Sequence, residues 1–172
     1  MEERILNKRL IDESQEGVKK TKVLFHSIAF YVNDNIYAMD VMNITEIIIP
    51  QKIYKVPNTS NILLGVLNLR GNILPIYSLK LILGMDDPYK GSDFINDEER
   101  FIIMIRKNKD IFGFMIDSIY KNIQATDENY RSGEYLQKWS KNFLFNGVIL
   151  ENDNEILVLN VDSLLKYIIN KK

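Results

Sequence analysis

A single histidine, His26, and the absence of cysteine leave this 172-residue chain few side chains able to do covalent or metal chemistry. Without thiols there can be no structural disulfide, zinc–thiolate site, iron–sulfur cluster or cysteine nucleophile. One imidazole makes neither a two-histidine metal site nor a HExxH helix, and any Ser-His-Asp triad would have to run through His26. That residue alternates onto the same strand face as Ile28 and Phe30, the setting of a tolerated polar residue near an exposed strand start. Carboxylate or lysine chemistry survives this filter, yet Asp34, Asp40, Glu46 and Asp117 are scattered over different strands, where turn and strand-end carboxylates are ordinarily solvated. Asn152-Asp153-Asn154-Glu155 resembles part of a calcium loop but lacks the glycine and distal glutamate of an EF-hand, and reads as a hairpin turn. Gly84–Gly91 has no lysine-serine pair of a phosphate loop and no long helix after it.

The stretch Gly65-Val-Leu-Asn-Leu-Arg-Gly-Asn-Ile-Leu-Pro-Ile-Tyr-Ser-Leu79 is more informative. Leu67 and Leu69 face one way, and Val66, Asn68 and Arg70 the other. An arginine closing a hairpin that reads as buried needs an acidic partner, because an unpaired charge there is costly. Glu46, a carboxylate in an isoleucine-rich strand, is the best candidate. The plain structural alternative is that such a pair only holds strands in register.

The elements that must position these residues are mostly strands. Residues 1–22 are polar and charged and read as a mobile arm. From Val23 the apolar pattern has period two, and Asn33-Asp34-Asn35 turns the chain into a returning strand, Ile36–Val41. Met42–Ile49 reads as another strand, stopped by Pro50. Gly65–Leu69 and Ile73–Tyr77 flank the turn at Arg70-Gly71-Asn72, and Pro75 predicts an edge strand or a bulge. Ser78 caps a short helix, Leu79–Leu83, that Gly84 ends. Residues 85–99 read as a polar linker. Arg100–Arg106, Ile111–Asp117, Ser118–Ala125, Phe145–Glu151 and Glu155–Asn160 follow as strands. Between them the stretch 126–142 reads as a long polar loop in which Trp139 stands among charges. A C-terminal helix over 161–170 is capped by Asn160 or Asp162. About ten short strands with two short helices predict an all-β barrel or sandwich. The polar break, with the division placed near residues 65–99, suggests two small barrels of about five strands within one domain, 23–172.

Composition narrows the partners. Lys plus Arg is 22 against 23 acidic residues, a formal net charge of −1. That balance argues against a nucleic-acid binder, which neutralises phosphates with clustered positive charge, and against a polybasic membrane anchor. The start, Met1-Glu-Glu-Arg-Ile-Leu-Asn-Lys-Arg-Leu10, has no apolar core of a secretory signal, and no apolar run is long enough to span a bilayer, so a cytoplasmic protein is expected.

The Gly65–Leu79 hairpin resembles the signature of the CheW family of bacterial chemotaxis coupling proteins, carried here by Gly65, Asn68, Leu69, Arg70, Gly71 and Pro75. Ile44-Thr-Glu46-Ile is similar to the family's third-strand segment. Phe112-Gly113-Phe-Met-Ile-Asp117-Ser-Ile119 is similar to a strand of its second barrel. Gly147-Val-Ile and Ile156-Leu-Val-Leu-Asn-Val-Asp162-Ser-Leu-Leu165 are similar to its closing segment. The resemblance spans roughly Leu24 to Ile169. Ser78 and Asn160 stand where the family usually has aspartates, and both are equivalent helix caps.

The resemblance implies two SH3-like five-stranded barrels sharing a hydrophobic interface, no catalytic residues, no metal and no cofactor. It implies a scaffold that binds the regulatory domain of the chemotaxis histidine kinase and the cytoplasmic tips of chemoreceptors, recruited to membrane arrays without inserting. Ile44, Glu46, Gly65, Asn68, Arg70 and Gly71 are the implied partner-binding or groove-shaping residues, with Ile44 on the receptor side. With no room for an ATP-binding or receiver domain, a stand-alone coupling protein is expected. The alternatives are a paralogue coupling another receptor system to a kinase and, from a different class, a small carboxylate enzyme using Asp40 or Asp117.

Overall fold

A computed structural model describes residues 20–50, 52–90, 94–95 and 99–171, with Phe94 and Ile95 described by their backbone alone. The expected arm thus lies outside the described residues except at its end. There, Lys22 is tied down: its N–H donates to Asp127 Oδ1 at 3.0 Å and its carbonyl accepts the Asp127 N–H at 3.1 Å.

The first strands are β1 (Val23–Val32), β2 (Asn35–Asp40), β3 (Ile44–Ile48), β4 (Ile53–Tyr54), β5 (Leu63–Leu69) and β6 (Asn72–Ser78). Helix α1 (Leu79–Leu83) follows, then β7 (Phe94–Ile95), β8 (Phe101–Lys107), β9 (Asp110–Ile116), β10 (Ser118–Thr126) and β11 (Tyr130–Arg131). The chain closes with β12 (Phe145–Glu151), β13 (Asn154–Leu159) and α2 (Val161–Ile169). One sheet has the order β10-β1-β2-β13-β12-β11, the other β3-β8-β9-β6-β5-β4-β7. Each is five longer strands extended by two-residue pieces, the all-β, two-barrel architecture expected.

The sheets are not consecutive halves, and a division near residues 65–99 does not separate them. β8 and β9 join β3–β6 in the seven-stranded sheet, while the N-terminal hairpin β1–β2 joins β10–β13. Two parallel pairings lace the chain together, β6 with β9 and β13 with β2. Because both sheets are covered on both faces, alternate residues enter different cores. Ile102 and Met104 of β8 enter a core with Leu67, Leu74 and Ile76. Ile103 and Ile105 instead enter the large cluster between the sheets, with Phe30, Phe114, Leu157 and Leu164. In the other sheet Ala29, Ala38, Ile156 and Val158 form the third core.

Several local expectations shift. β6 is an interior strand rather than an edge. Pro75 is accommodated because parallel pairing with β9 begins only at Ile76, and an irregularity in β5 falls between Leu63 and Gly65. Met42–Ile49 is not one strand: Asp40 Oδ1 accepts the Met42 N–H at 2.9 Å and winds Val41–Asn43 into a 3-10 turn before β3. The stretch 126–142 is not a plain polar loop either, for it holds β11 and a 3-10 segment, Gly133–Lys138. Trp139 packs partly buried against the inter-sheet core. The helix ends are as read: Ser78 Oγ accepts the Leu81 N–H at 3.0 Å, Gly84 is left-handed at φ 89°, and Asn160 Oδ1 accepts the Ser163 N–H at 2.9 Å.

Candidate partner-docking surface

The hairpin β5–β6 closes through a two-residue turn, with Leu69 opposite Asn72. Arg70 (φ 52°) and Gly71 (φ 84°) are both left-handed, as a tight hairpin following the strand twist requires. Asn68 Oδ1 accepts the Gly71 N–H at 3.0 Å and stiffens the turn. This geometry throws Arg70 outward from the rim of the sheet. Its side chain is 78% exposed, and Nη2 lies 3.4 Å from Glu46 Oε2, itself 30% exposed. The two residues singled out from sequence do meet. The buried setting read for Arg70 does not hold, because the turn projects past the last paired residues of the hairpin. A pair this exposed contributes less than about 1 kcal/mol to stability.

Glu46 rides on β3, which ends the seven-stranded sheet and pairs there with β8. Ile44, opposite Ile105 on that strand, is half-buried against the inter-sheet core. It is neither fully inside nor free. Met42 ahead of it is 87% exposed and Ile49 beyond it 55%. Gly65 works differently: it is buried, with φ 154°, and a Cβ there would run into the Tyr54 carbonyl oxygen. It lets β4 cross close to β5 and shapes the barrel without reaching the surface.

A second apolar surface escaped the sequence reading. Ile73, 71% exposed beside the Arg70 turn, and Ile169, 59% exposed at the end of α2, flank a groove of about 740 Å³. Pro75, Phe112 and Ile168 line it, with Arg106 and Lys109 among its polar neighbours. Ile73 sits opposite Asn68, so the alternation that exposes Asn68 was a signal for it. Ile169 had none, since it comes from the far end of the chain. Asp117 also departs from expectation: it is not a solvated carboxylate but lies 2.8 Å from Lys80 Nζ.

Two laced β-barrels with exposed apolar positions and an outward arginine turn make an architecture suited to binding a partner. Comparison with known proteins agrees. Residues 26–168 match the CheW-like domain. The chain is 32% identical over 156 residues to a chemotaxis protein CheW of Helicobacter pylori, covering 90% of each chain. It is 26% identical over 149 residues to the protein of that name in Thermotoga maritima, covering 86% of this chain and 92% of the other. The crystal structure of a scaffolding protein, TtCheW from Thermoanaerobacter tengcongensis, superposes with a TM-score of 0.67 at 19% identity, over 80% of this chain and 89% of that one. The chain belongs to the CheW-like family.

Proposed function

We infer that this protein is a chemotaxis adaptor that couples transmembrane chemoreceptors to the chemotaxis histidine kinase. The observation that carries the reading is the match of residues 26–168 to the CheW-like domain, which takes in both barrels. Its partners are the regulatory domain of the kinase and the cytoplasmic tips of receptors, and it reaches the membrane array through them. Among the described residues no helix is long and apolar enough to cross a membrane, which suits recruitment. The protein works by binding and not by catalysis. Of the carboxylates a small enzyme would need, Asp40 caps the Met42 turn and Asp117 is held by cations.

An adaptor needs two surfaces, and two exposed apolar regions that adjoin at the Glu46–Arg70 pair support that reading. The β3 edge, with Met42, Ile44 and Glu46, takes the receptor's helical hairpin. The groove flanked by Ile73 and Ile169 is left for the kinase, whose regulatory domain shares the fold and meets it barrel to barrel. Exposed apolar positions of this kind are characteristic of interaction sites. Ile44→Asp tests the assignment with purified receptor tip and kinase regulatory domain in separate titrations. Receptor binding is expected to be lost and kinase binding kept in a variant that stays folded. Unchanged receptor affinity would move the receptor off β3.

A further inference from the structure

Four charged side chains outside the docking surface meet where the chain passes from one sheet to the other. Asp117 is the single residue between β9, in the seven-stranded sheet, and β10, in the six-stranded one. Its Oδ1 lies 2.8 Å from Lys80 Nζ on α1 and 3.2 Å from Arg100 Nε, just ahead of β8. Its Oδ2 accepts the Asn33 backbone N–H at 2.6 Å from the β1–β2 turn, and its own N–H donates to the Tyr31 carbonyl at 3.1 Å. Arg100 continues to Asp87 Oδ1 at 3.6 Å, and Asp87 Oδ2 accepts the Ser78 hydroxyl at 2.6 Å. The side chains are withdrawn from water, with exposures of 9% for Lys80, 12% for Arg100, 24% for Asp117 and 1% for Asp87. A second tie grips the same short helix: Lys141 Nζ, from the segment ahead of β12, donates to the Ile82 carbonyl at 2.6 Å.

Such a cluster adds little net stability over apolar residues of the same shape, because desolvation offsets the attraction. What it adds is direction. The apolar driving force between the sheets is large but has no direction of its own, and packing shape alone must then set the angle, whereas hydrogen-bonded ion pairs add a geometry that tolerates little deviation. We propose that Asp87, Arg100, Asp117 and Lys80 form a clamp that fixes the two barrels at one angle and so sets the shape of the groove between the seven-stranded sheet and α2. These four are positioning residues. The groove-shaping half rests on the adaptor reading; the clamp does not.

The test is the double variant Lys80→Met with Asp117→Ala, which removes one charge of each sign, takes away the side-chain acceptor of the Asn33 N–H and leaves Arg100 beside Asp87. In the native protein the amide residual dipolar couplings of both sheets should fit one alignment tensor. In the folded variant the six- and seven-stranded sheets should need two. One tensor for the folded variant would overturn the clamp. Should the variant fail to fold, hydrogen exchange of the native protein decides. The Asn33 amide, in an exposed turn, should exchange within about tenfold of the buried β8 amides if the clamp holds it, and exchange as a free turn amide overturns it. In the folded variant, affinity for the receptor tip or the kinase regulatory domain should fall about tenfold or more, the cost of ordering a site no longer preformed. Divergent tensors with unchanged affinities would overturn the groove-shaping half alone. Native protein that binds neither partner would overturn the adaptor reading and leave the tensor result standing.

Discussion

Glu46 and Arg70 show how far a residue-level argument carries. Each is a charge set in an apolar stretch of sequence, and the fold brings them to 3.4 Å. Their exposure changes the energetics. Were the pair buried, losing one partner would cost about 3–5 kcal/mol; at the surface the whole interaction is below about 1 kcal/mol. A double-mutant cycle of Arg70→Ala and Glu46→Ala, followed by urea denaturation, is therefore expected to give a coupling under about 1 kcal/mol. A coupling of several kcal/mol would mean that the pair is shielded in solution. Binding is the larger effect expected, because a turn that points a guanidinium outward presents up to five donors to a partner. Exchanging the charges, Glu46→Arg with Arg70→Glu, should restore the small stability coupling without restoring affinity. Recovery of both would make the pair scaffold only.

Elements differ in how well sequence announces them. The caps of α1 and α2 were legible because Ser78 and Asn160 precede apolar periodicity and their side chains have one obvious use. Their cost on removal should differ. Asn160→Ala loses a cap, about 1 kcal/mol. Ser78→Ala loses the cap and also the hydroxyl that donates to buried Asp87 Oδ2, while Arg100 and the Tyr89 N–H stay on Oδ1, so it should destabilise more in thermal melts. Equal losses would mean that water replaces the Ser78 hydroxyl. The Gly133–Lys138 segment was illegible for a physical reason: 3-10 turns have no long apolar period, and this one is held by ties distant in sequence. The Tyr135 hydroxyl donates to Glu155 Oε1 at 2.6 Å, Lys138 pairs with the same carboxylate, and the Lys138 ammonium lies 4.3 Å over the Tyr135 ring and 4.4 Å over that of Trp139. Hydrogen bonds from Lys138 and then Tyr135 hold the Glu155 carboxyl below its ordinary range. A depressed carboxylate stabilises the fold above its unfolded pKa and loses that contribution as pH falls through the folded one. Emission of Trp139, the one tryptophan, should hold steady through the ordinary glutamate range and shift only below it. A shift centred within that range would show the tie to be absent.

At the scale of the molecule, strand content and the two-barrel class were readable, since period-two patterning and turn residues recur along the chain. The lacing was not. Pairings such as β2 with β13 join residues more than a hundred positions apart, and no local pattern encodes which of two similar apolar faces a strand will choose. The pairing of Asp117 was hidden for the same reason, its partners Asn33, Lys80 and Arg100 coming from three distant parts of the chain. At this scale the adaptor proposal amounts to bridging of two partners by both barrels together. It is tested most directly by phosphorylation kinetics of the chemotaxis kinase, reconstituted with receptor-bearing membranes, with and without this protein. Adding the protein should bring the kinase under receptor control, with a rate that responds to attractant. A rate indifferent to the protein at concentrations that saturate both partners would contradict it.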